Sequence, residues 1–199
     1  MTETYAMNHL TRDDLYSLEK YAQARPEFRA RVMAHKKNRR LALGEHAALY
    51  FEDALTMQYQ VQEMLRLERM FEPDLIQDEL DVYNPLIPDG SNWKATFMVE
   101  YPDAEERRQA LARLVGIENT VWLRVQGHDK VFPIANEDLD RSSPDKTSSV
   151  HFMRFELTPA MCAAVKAGIP IRAGIDHPEY EIDIEVPDNV RASLAEDLA

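Results

Sequence analysis

The sequence predicts an α+β fold in which N-terminal helices pack with a mostly antiparallel sheet that is flanked by further helices. Three observations support this class. Residues 10–83 carry helix caps and helical spacing of apolar residues. Residues 84–90 contain two prolines and end in Asp-Gly, a composition that neither a helix nor a strand accommodates. From Trp93 onward, apolar and polar residues alternate along several short segments, as they do in half-buried strands.

The first part of the chain begins with a helix start signal. Thr11 and Asp14 are spaced as in a capping box, in which each residue satisfies a free N–H near the other. Pro26 is typical of the first turn of a second helix, where its missing N–H costs nothing. The elements predicted before residue 84 are helices over residues 12–23 and 26–40, a short strand over 47–52, a helix over 56–71 and a short acidic helix from residue 73.

The second part is predicted to combine short strands with capped helices. Along residues 93–101 the odd positions are apolar and the even positions are mostly polar, so one face of this strand is expected to be buried. Gly127 and His128 indicate the turn of a hairpin. The predicted strands cover residues 93–101, 121–125, 130–134, 150–157, 169–175 and 180–186, and the predicted helices cover 103–116, 158–168 and the segment from 188.

Length and composition limit the class of protein. Of the 199 residues, 45% are hydrophobic, which suits one globular domain over residues 1–199, with its helical part at about 10–83 and its sheet at about 91–199. No apolar run approaches the roughly 20 residues of a membrane helix, and the start of the chain lacks a signal-peptide pattern. The single cysteine, Cys162, excludes an internal disulfide. We therefore expect a cytoplasmic protein that is not attached to a membrane.

The charge of the chain is negative overall but unevenly distributed. A net charge of −12 argues against nucleic-acid binding, because phosphate contacts need a basic surface. Residues 25–40 hold seven Lys and Arg against one acid, whereas residues 41–199 hold fourteen against thirty. The simplest interpretation is a basic helix that lies against an acidic body. A site for a phosphate or an acidic partner is the alternative.

Known catalytic and cofactor motifs are missing from the sequence. There is no Gly-x-Gly-x-x-Gly, phosphate loop or Gly-x-Ser-x-Gly, which argues against nucleotide-binding and hydrolase folds. The six histidines show no His-x-x-x-His or Glu-x-x-His spacing. No cofactor is predicted, and a metal site would need ligands from distant elements.

The helix predicted over residues 56–71 has a carboxylate in its apolar stripe. At 100° per residue, Glu68 lies in the middle of the stripe formed by Met57, Val61, Met64, Leu65 and Phe71. Burying an unpaired charge is costly, so Glu68 is expected to have a partner. We favour an ion pair with the basic segment over residues 25–40. The alternative is that Glu68 is a ligand or an acid/base group.

His35 lies on the helix face that also carries Phe28 and Val32. Most such histidines are hydrogen-bonded core residues, and a functional role is the alternative. A basic stripe of Arg29, Lys36 and Arg40 runs beside it, and this stripe is either a solvated face or a site for an anion. The candidate residues for an anion site are Lys36, Lys37, Arg39 and Arg40.

Charged residues are predicted to collect on the sheet face that points away from the core. They are Lys94, Glu100, Arg124, Arg154 and Glu156, provided that the strands pair in the register that their alternation suggests. Cross-strand ion pairs exposed to water are the simplest interpretation. If this face is covered, it is expected to form a pocket for a polar ligand.

Two histidines complete the candidate residues. His151 shares a strand side with Met153 and Phe155, so a hydrogen-bonded core position is expected. His177 lies in a predicted turn, where Asp176 is close enough to orient its ring. Glu68, His151 and His177 are therefore the candidate metal ligands.

Several short motifs resemble a known family. They are His35-Lys36-Lys37 with Arg39-Arg40, Gln62-Glu63-Met64, residues 84–90, residues 100–103, residues 146–148 leading to Val150-His151-Phe152, and residues 174–178. In this order they resemble an uncharacterised bacterial family that is catalogued as domain of unknown function 3501. Members of that family are often encoded beside rubrerythrin-like di-iron proteins and iron–sulfur proteins. The resemblance therefore implies a link to redox or peroxide defence, with no catalytic residues to carry over.

Two functions from different classes are consistent with these observations. The first is a non-enzymatic accessory or interaction protein that docks on a di-iron or iron–sulfur redox protein. The second is a metal- or small-ligand-binding domain, and in one version an enzyme, that uses some of Glu63, Glu68, His35, His151 and His177. A regulatory anion site on the basic stripe is a third hypothesis. A homodimer is compatible with each.

Overall fold

The computed structural model describes residues 9–199. The prediction about a signal peptide concerns the start of the chain, which lies outside the described residues. Residues 9–199 form six α-helices and eight β-strands. The helices are α1 (Leu18–Lys36), α2 (Ala54–Glu68), α3 (Pro73–Tyr83), α4 (Ala104–Arg113), α5 (Pro159–Lys166) and α6 (Asp188–Ala195). The strands are β1 (Arg40–Ala42), β2 (Ala47–Phe51), β3 (Asn92–Val99), β4 (Val121–Val125), β5 (Ile134–Ala135), β6 (Val150–Glu156), β7 (Ile171–His177) and β8 (Tyr180–Glu185). The predicted α+β class is confirmed. No helix over the described range is long and apolar enough to cross a membrane.

The strands of residues 9–199 form two antiparallel sheets, whereas the sequence predicts one. The first sheet has the order β1-β2-β3-β6-β5, and the second has the order β4-β7-β8. The predicted hairpin over residues 121–125 and 130–134 is reduced to one bridge between Leu123 and Val131. Instead, β4 pairs with β7 over five residues. Pro133, which has no N–H to donate, also disfavours a longer ladder in the predicted second strand.

The inner faces of the two sheets share one hydrophobic core. Trp93, Phe97 and Val99 of β3 point into it, as their alternation predicts. The second sheet contributes Val121, Leu123, Val125, Ile171, Ala173 and Ile175. Helices α5 and α6 cover this core, and the buried Trp93 Nε1 donates to the Leu194 carbonyl at 2.9 Å. Strands β1 and β2 also contribute, through Leu41, Leu49 and Phe51, so the core joins strands from both parts of the chain.

The helical part differs from the prediction at its start. The capping box of Thr11 and Asp14 is present, but it opens only a short 3₁₀ turn, because Leu15 returns to an extended backbone. Ser17 then caps α1 by accepting from the Lys20 N–H at 3.3 Å. This helix continues through Pro26 to Lys36. Residues 18–36 are therefore one helix, and Pro26 is an interior residue rather than the first turn of a second helix.

The helices before residue 84 pack through small clusters of their own. Tyr21, Phe28, Val32 and Tyr59 pack between α1 and α2. A second cluster of Val61, Leu65 and Leu80 lies between α2 and α3. Both clusters are separate from the core between the sheets.

Candidate ligand-binding site

A cleft lies between the helical part and the outer face of the five-stranded sheet. Strands β3 and β6 form its floor, while α3 with its following turn and the loop over residues 136–149 form its walls. Its volume is about 540 Å³, which is in the range of small-molecule sites. The lining side chains are apolar (Val82, Tyr83, Leu86, Phe152, Met153), basic (Lys94, Arg141, Arg154) or acidic (Asp81, Glu137, Asp138).

Two of the predicted candidate residues lie side by side on the floor of this cleft. Strands β3 and β6 pair with Lys94 directly opposite Arg154, and directly opposed residues project from the same face of a sheet. Arg154 is satisfied, because its Nη2 and Nε donate to Glu137 at 2.7 and 2.9 Å and its Nη1 donates to Glu156. The hydrogen bonds from Arg154 hold the pKa of Glu137 below its usual range. Arg154 therefore fixes the wall of the cleft.

Lys94 is the basic residue of the floor that has free hydrogen-bond donors. Its Nζ donates to the Pro85 carbonyl, and it forms no ion pair with any carboxylate that the structure describes. Burial lowers the pKa of Lys94, and the positive charge of Arg154 acts in the same direction. Since an ammonium group has three donors, Lys94 can still bind an anion in the cleft.

Arg141 supplies a second cation, which the sequence did not indicate. Its guanidinium lies over the Phe152 ring at 4.7 Å and pairs with Asp138. Its Nε is buried without a hydrogen-bond partner, and within residues 9–199 no other buried side-chain nitrogen or oxygen is in this state. A buried donor left without an acceptor costs about 1–3 kcal/mol. Arg141, which lines the cleft, is therefore incompletely hydrogen-bonded within residues 9–199.

The loop that carries Arg141 is fastened to the body by a buried polar cluster. Glu118 accepts from Ser142 Oγ at 2.6 Å and from Thr147 Oγ1 at 3.1 Å. His151 is fully buried, with Thr147 Oγ1 2.9 Å from Nε2 and the Asn136 side chain 3.0 Å from Nδ1. Burial lowers the pKa of His151. His151 thus holds the loop in place, in keeping with the hydrogen-bonded core position expected for it.

His177 also has a structural position. It ends β7, where its Nε2 lies 3.2 Å from the Val115 carbonyl oxygen and its Nδ1 accepts from the Glu179 N–H at 3.2 Å. The predicted orientation of its ring by Asp176 is wrong, because adjacent residues of a strand point to opposite faces. The Asp176 carboxylate instead accepts from Trp122 Nε1 at 2.8 Å.

The three candidate metal ligands are not brought together. In the part of the chain that the structure describes, no group of three or more His, Cys, Asp or Glu could hold a metal ion. The prediction that Glu68 points at the core is also wrong. Glu68 is exposed at the last position of α2. The reason is that Arg69 adopts a left-handed conformation with φ 54° and ends the helix, so the predicted stripe does not continue to Phe71.

The ion pair expected for Glu68 is made by Glu63 instead. Arg25 donates to both carboxylate oxygens of Glu63, at 2.7 and 2.9 Å. The buried Tyr21 donates its hydroxyl to the same carboxylate at 2.7 Å. The hydrogen bonds from Arg25 lower the pKa of Glu63 to about 2. Within residues 9–199, Glu68 has no ion pair.

A buried polar network joins the helical part to the sheets. Its side chains are His35, Arg39, Glu52, Asp53, Thr56, Thr96, Ser193 and Asp197. Arg39 is its centre and is only 2% exposed. Its Nη2 donates to Asp197 Oδ2 at 2.6 Å and to the Glu52 carbonyl at 2.9 Å, and its Nε donates to the Phe51 carbonyl at 3.0 Å. The Glu52 carboxylate accepts from Thr56 and Thr96 at 2.7 and 2.8 Å.

Two carboxylates of this network have opposite pKa shifts. Asp53 caps α2 by accepting from the Thr56 N–H at 2.8 Å, and it pairs with His35 Nε2 at 2.5 Å. Burial pushes the pKa of Asp53 upward, but His35 and the charge of Arg39 hold it below its usual range. For Asp197, burial prevails over Arg39 and raises the pKa to about 6.

The basic segment is used mainly within the molecule. Arg40 pairs with Glu100 at 3.2 Å on the surface, and Lys36 lies over the Tyr59 ring at 5.8 Å. Lys37 is exposed. Together with the pairs made by Arg25 and Arg39, these contacts agree with a basic segment that lies against its own acidic body, although Arg29 and Arg31 are exposed and form no ion pair within residues 9–199.

The prediction that Arg124 shares a sheet face with Lys94 and Arg154 is wrong. Arg124 lies on β4 of the three-stranded sheet, on the face that points away from the core. Glu100 follows the end of β3 and accepts from Arg40 and Tyr50, which lie on the same face of the five-stranded sheet as Lys94. The charged face predicted from alternation is therefore split between two sheets.

The fold and the cleft together define an α+β protein with a small-molecule-sized site between α3 and the five-stranded sheet. The chain belongs to the family described as "Protein of unknown function (DUF3501)", whose model matches residues 9–198. It is similar to a solved structure of a novel protein of unknown function from Burkholderia pseudomallei K96243. The two are 53% identical, the match covers 96% of this chain and 100% of that chain, and the TM-score is 0.92. No curated protein matches this chain.

Proposed function

We propose that this protein is a small-ligand-binding domain whose cleft takes an organic anion with an apolar body, such as a carboxylic acid. The observation that carries the proposal is the Arg141 guanidinium in the wall of the cleft, whose only ion pair within residues 9–199 is with Asp138 and whose Nη1 donates no hydrogen bond there. Lys94 supports it from the floor, as a half-buried cation without a carboxylate partner.

The chemistry of the lining favours one negative charge on the ligand. Arg154 is already neutralised by Glu137 and Glu156, and Asp138 offsets part of the charge of Arg141. A carboxylate that bridges Lys94 and Arg141 would gain charge-assisted hydrogen bonds, which are about twice as strong as neutral ones. Phe152 and the apolar residues of α3 would contact its body.

The test uses benzoate and hexanoate as probes and benzamide as the uncharged analogue of benzoate. Binding followed by NMR shift titration is expected for the two acids and is expected to be at least tenfold weaker for benzamide. Lys94→Met and Arg141→Met should each weaken benzoate binding at least tenfold, whereas Lys166→Met on the exposed side of α5 should leave it unchanged. Equal binding of benzoate and benzamide, or no binding of any acid, would contradict the proposal.

A second candidate function is docking on a redox protein in the cytoplasm, either a di-iron or an iron–sulfur protein. It is supported by a surface where α2 is followed by α3, which we call the hairpin-tip patch. The patch consists of Leu67, Phe71 and Leu75, which are 60%, 70% and 43% exposed. Large exposed apolar patches are typical of interaction surfaces. Acids outnumber bases beside these residues in sequence, with Glu68, Glu72 and Asp74 against Arg66 and Arg69, so the patch fits a partner with basic residues around an apolar contact. Cys162 is free and buried, which suits a reducing compartment.

Recovery of a partner from the native host tests this function. Tagged wild-type protein should retain a redox protein from lysate, together with its iron, and Phe71→Ser should lose both. Phe132→Ser removes another exposed phenylalanine outside the patch and should retain them. Equal recovery by the two variants would contradict docking at the patch. A dimer that Phe71→Ser converts to a monomer would instead assign the patch to a second copy of this chain.

A further inference from the structure

A second cavity opens at the end of the three-stranded sheet, outside the cleft between the helices and the five-stranded sheet. It lies where β4 runs into the turn at Gly127 and where β7 begins, and its volume is about 440 Å³. Its donors come from Arg124, Gln126, His128 and Arg172. None of these residues lines the cleft.

The two arginines of this cavity are directly opposite each other. Strands β4 and β7 pair with Arg124 facing Arg172, and like charges in that arrangement destabilise a sheet. Arg172 is compensated by Asp183, whose Oδ1 accepts from its Nε at 2.8 Å and lies 2.7 Å from its Nη2. Glu185 lies opposite Arg172 on the other side and pairs with neither arginine within 4 Å.

Arg124 has no such compensation. Within residues 9–199 it forms no ion pair, and its guanidinium lies 5.7 Å from the Trp122 ring centre. The sheet thus places one arginine with free donors beside another that Asp183 holds in position. No carboxylate of residues 9–199 neutralises Arg124, so an external anion could take that role.

The turn beside the arginines leaves the cavity accessible and adds further donors. Gly127 has φ 88°, and a Cβ built there would meet nothing within 4 Å. The N–H groups of Gln126 and His128 are used by backbone carbonyls, while their side chains form no hydrogen bond among those described for residues 9–199. Both side chains therefore remain available to a ligand.

We infer that this cavity binds the phosphate group of a small phosphorylated metabolite through the guanidinium groups of Arg124 and Arg172. The planar guanidinium matches two phosphate oxygens at once, which a lysine cannot do. A cavity of about 440 Å³ accommodates a phosphomonoester with a short carbon chain. Since Asp183 already neutralises Arg172 and Glu185 pairs with neither arginine, the unpaired guanidinium of Arg124 is the charge that attracts an anion to this cavity.

The experiment uses glycerol 3-phosphate and inorganic phosphate as probes, with glycerol as the uncharged control. NMR titration should show shifts at Arg124 and its neighbours for both phosphates and none for glycerol. Tighter binding of glycerol 3-phosphate would identify a phosphorylated metabolite as the ligand, and equal binding would identify free phosphate. Arg124→Gln and Arg172→Gln should each weaken binding at least tenfold.

Two control variants establish whether phosphate binds at this cavity in particular. Arg113→Gln, at an exposed arginine on α4, and Lys166→Met, at an exposed lysine on α5, should both leave phosphate binding unchanged. The inference is overturned if neither phosphate binds at millimolar concentration. It is also overturned if Arg124→Gln, folded as judged by circular dichroism, binds as well as wild type, or if Arg113→Gln weakens binding equally.

Discussion

The contact between the two sheets and the contact between the helices and the five-stranded sheet are built from different side chains. The first buries mostly aliphatic and aromatic residues, with Trp93, Phe97 and Phe155 among the largest. The second is centred on a buried guanidinium, Arg39, and the carboxylates around it. The same chain thus uses non-directional burial in one place and directional hydrogen bonds in the other.

This difference predicts different responses to substitution. Apolar cores tolerate changes that conserve volume, because burial does not depend on angle. A buried ion pair contributes little net stability, but the loss of one partner leaves an uncompensated charge. The polar network is therefore expected to fix how the helices sit on the sheet, and to fail when a single member is removed.

The largest effect is expected for Arg39→Gln. It leaves Asp53 and Asp197 without their buried cation, which typically costs about 3–5 kcal/mol. Urea unfolding followed by circular dichroism measures the loss. Arg40→Gln is the matched control, since its pair with Glu100 is exposed and is expected to contribute under about 1 kcal/mol. If the two variants lose similar amounts, the polar network has no special role.

The pH dependence of stability gives the next largest effect. The raised pKa of Asp197 means that the folded state holds its proton more tightly than the unfolded state. Its contribution to stability is therefore fully present below about pH 4 and is lost as the pH rises through about 6. A rise of the pKa from 3.8 to about 6 corresponds to about 3 kcal/mol.

The measurement compares wild type with Asp197→Asn between pH 4 and 7, with the unfolding free energy determined at each pH. The stability of wild type relative to Asp197→Asn should fall as the pH rises over this interval. Asp53 has a lowered pKa, so its contribution has the opposite sign and is lost only at lower pH. A constant difference between the two proteins would show that Asp197 has an ordinary pKa.

Gly174→Ala tests the close packing of the sheet region. A Cβ at Gly174 would lie 2.2 Å from the Ile182 carbonyl oxygen and 2.4 Å from the Trp122 ring. Overpacking of this kind costs about 1–3 kcal/mol. Thermal and urea unfolding should both show the loss, and Trp122 fluorescence should change because the ring must move. Wild-type stability with unchanged fluorescence would mean that the sheet has room for the added methyl group.

The smallest effect distinguishes two carboxylates of α2. Glu63→Gln weakens the contacts with Arg25 and with the buried Tyr21 and is expected to cost about 1 kcal/mol. Glu68→Gln is the matched control and should leave the urea midpoint unchanged, because Glu68 is exposed. The reverse order of the two effects would restore Glu68 as the buried partner of the basic segment.

The local elements of the fold were predictable, while the pairing of distant elements was not. Alternation along residues 93–101 identified β3 and its buried face, since period two is a property of the strand itself. The pairing of β4 with β7 joins Val121 to Ile175 across a long stretch of chain. No local pattern encodes such a partner, so two sheets were predicted as one.

The candidate site was predictable to a similar extent. Lys94 and Arg154 were assigned to one sheet face because each lies at a polar position of a clear alternation. Arg141 was missed, since it lies in a loop without periodicity and its position depends on the contacts of Glu118 and His151. Glu68 was misplaced because Arg69 ends α2 in a left-handed conformation without the glycine that usually signals such an end.

Arg39 also has a consequence for the order of events in folding. It is bonded to Ser193 and Asp197, which follow it by 154 and 158 residues. Contacts of such separation form slowly, because a long loop must close first. We expect α1 and α2 to associate early and to dock on the sheet only after α6 has been placed. Pulse-labelling hydrogen exchange should therefore protect the amides inside α1 and α2 before those of α6.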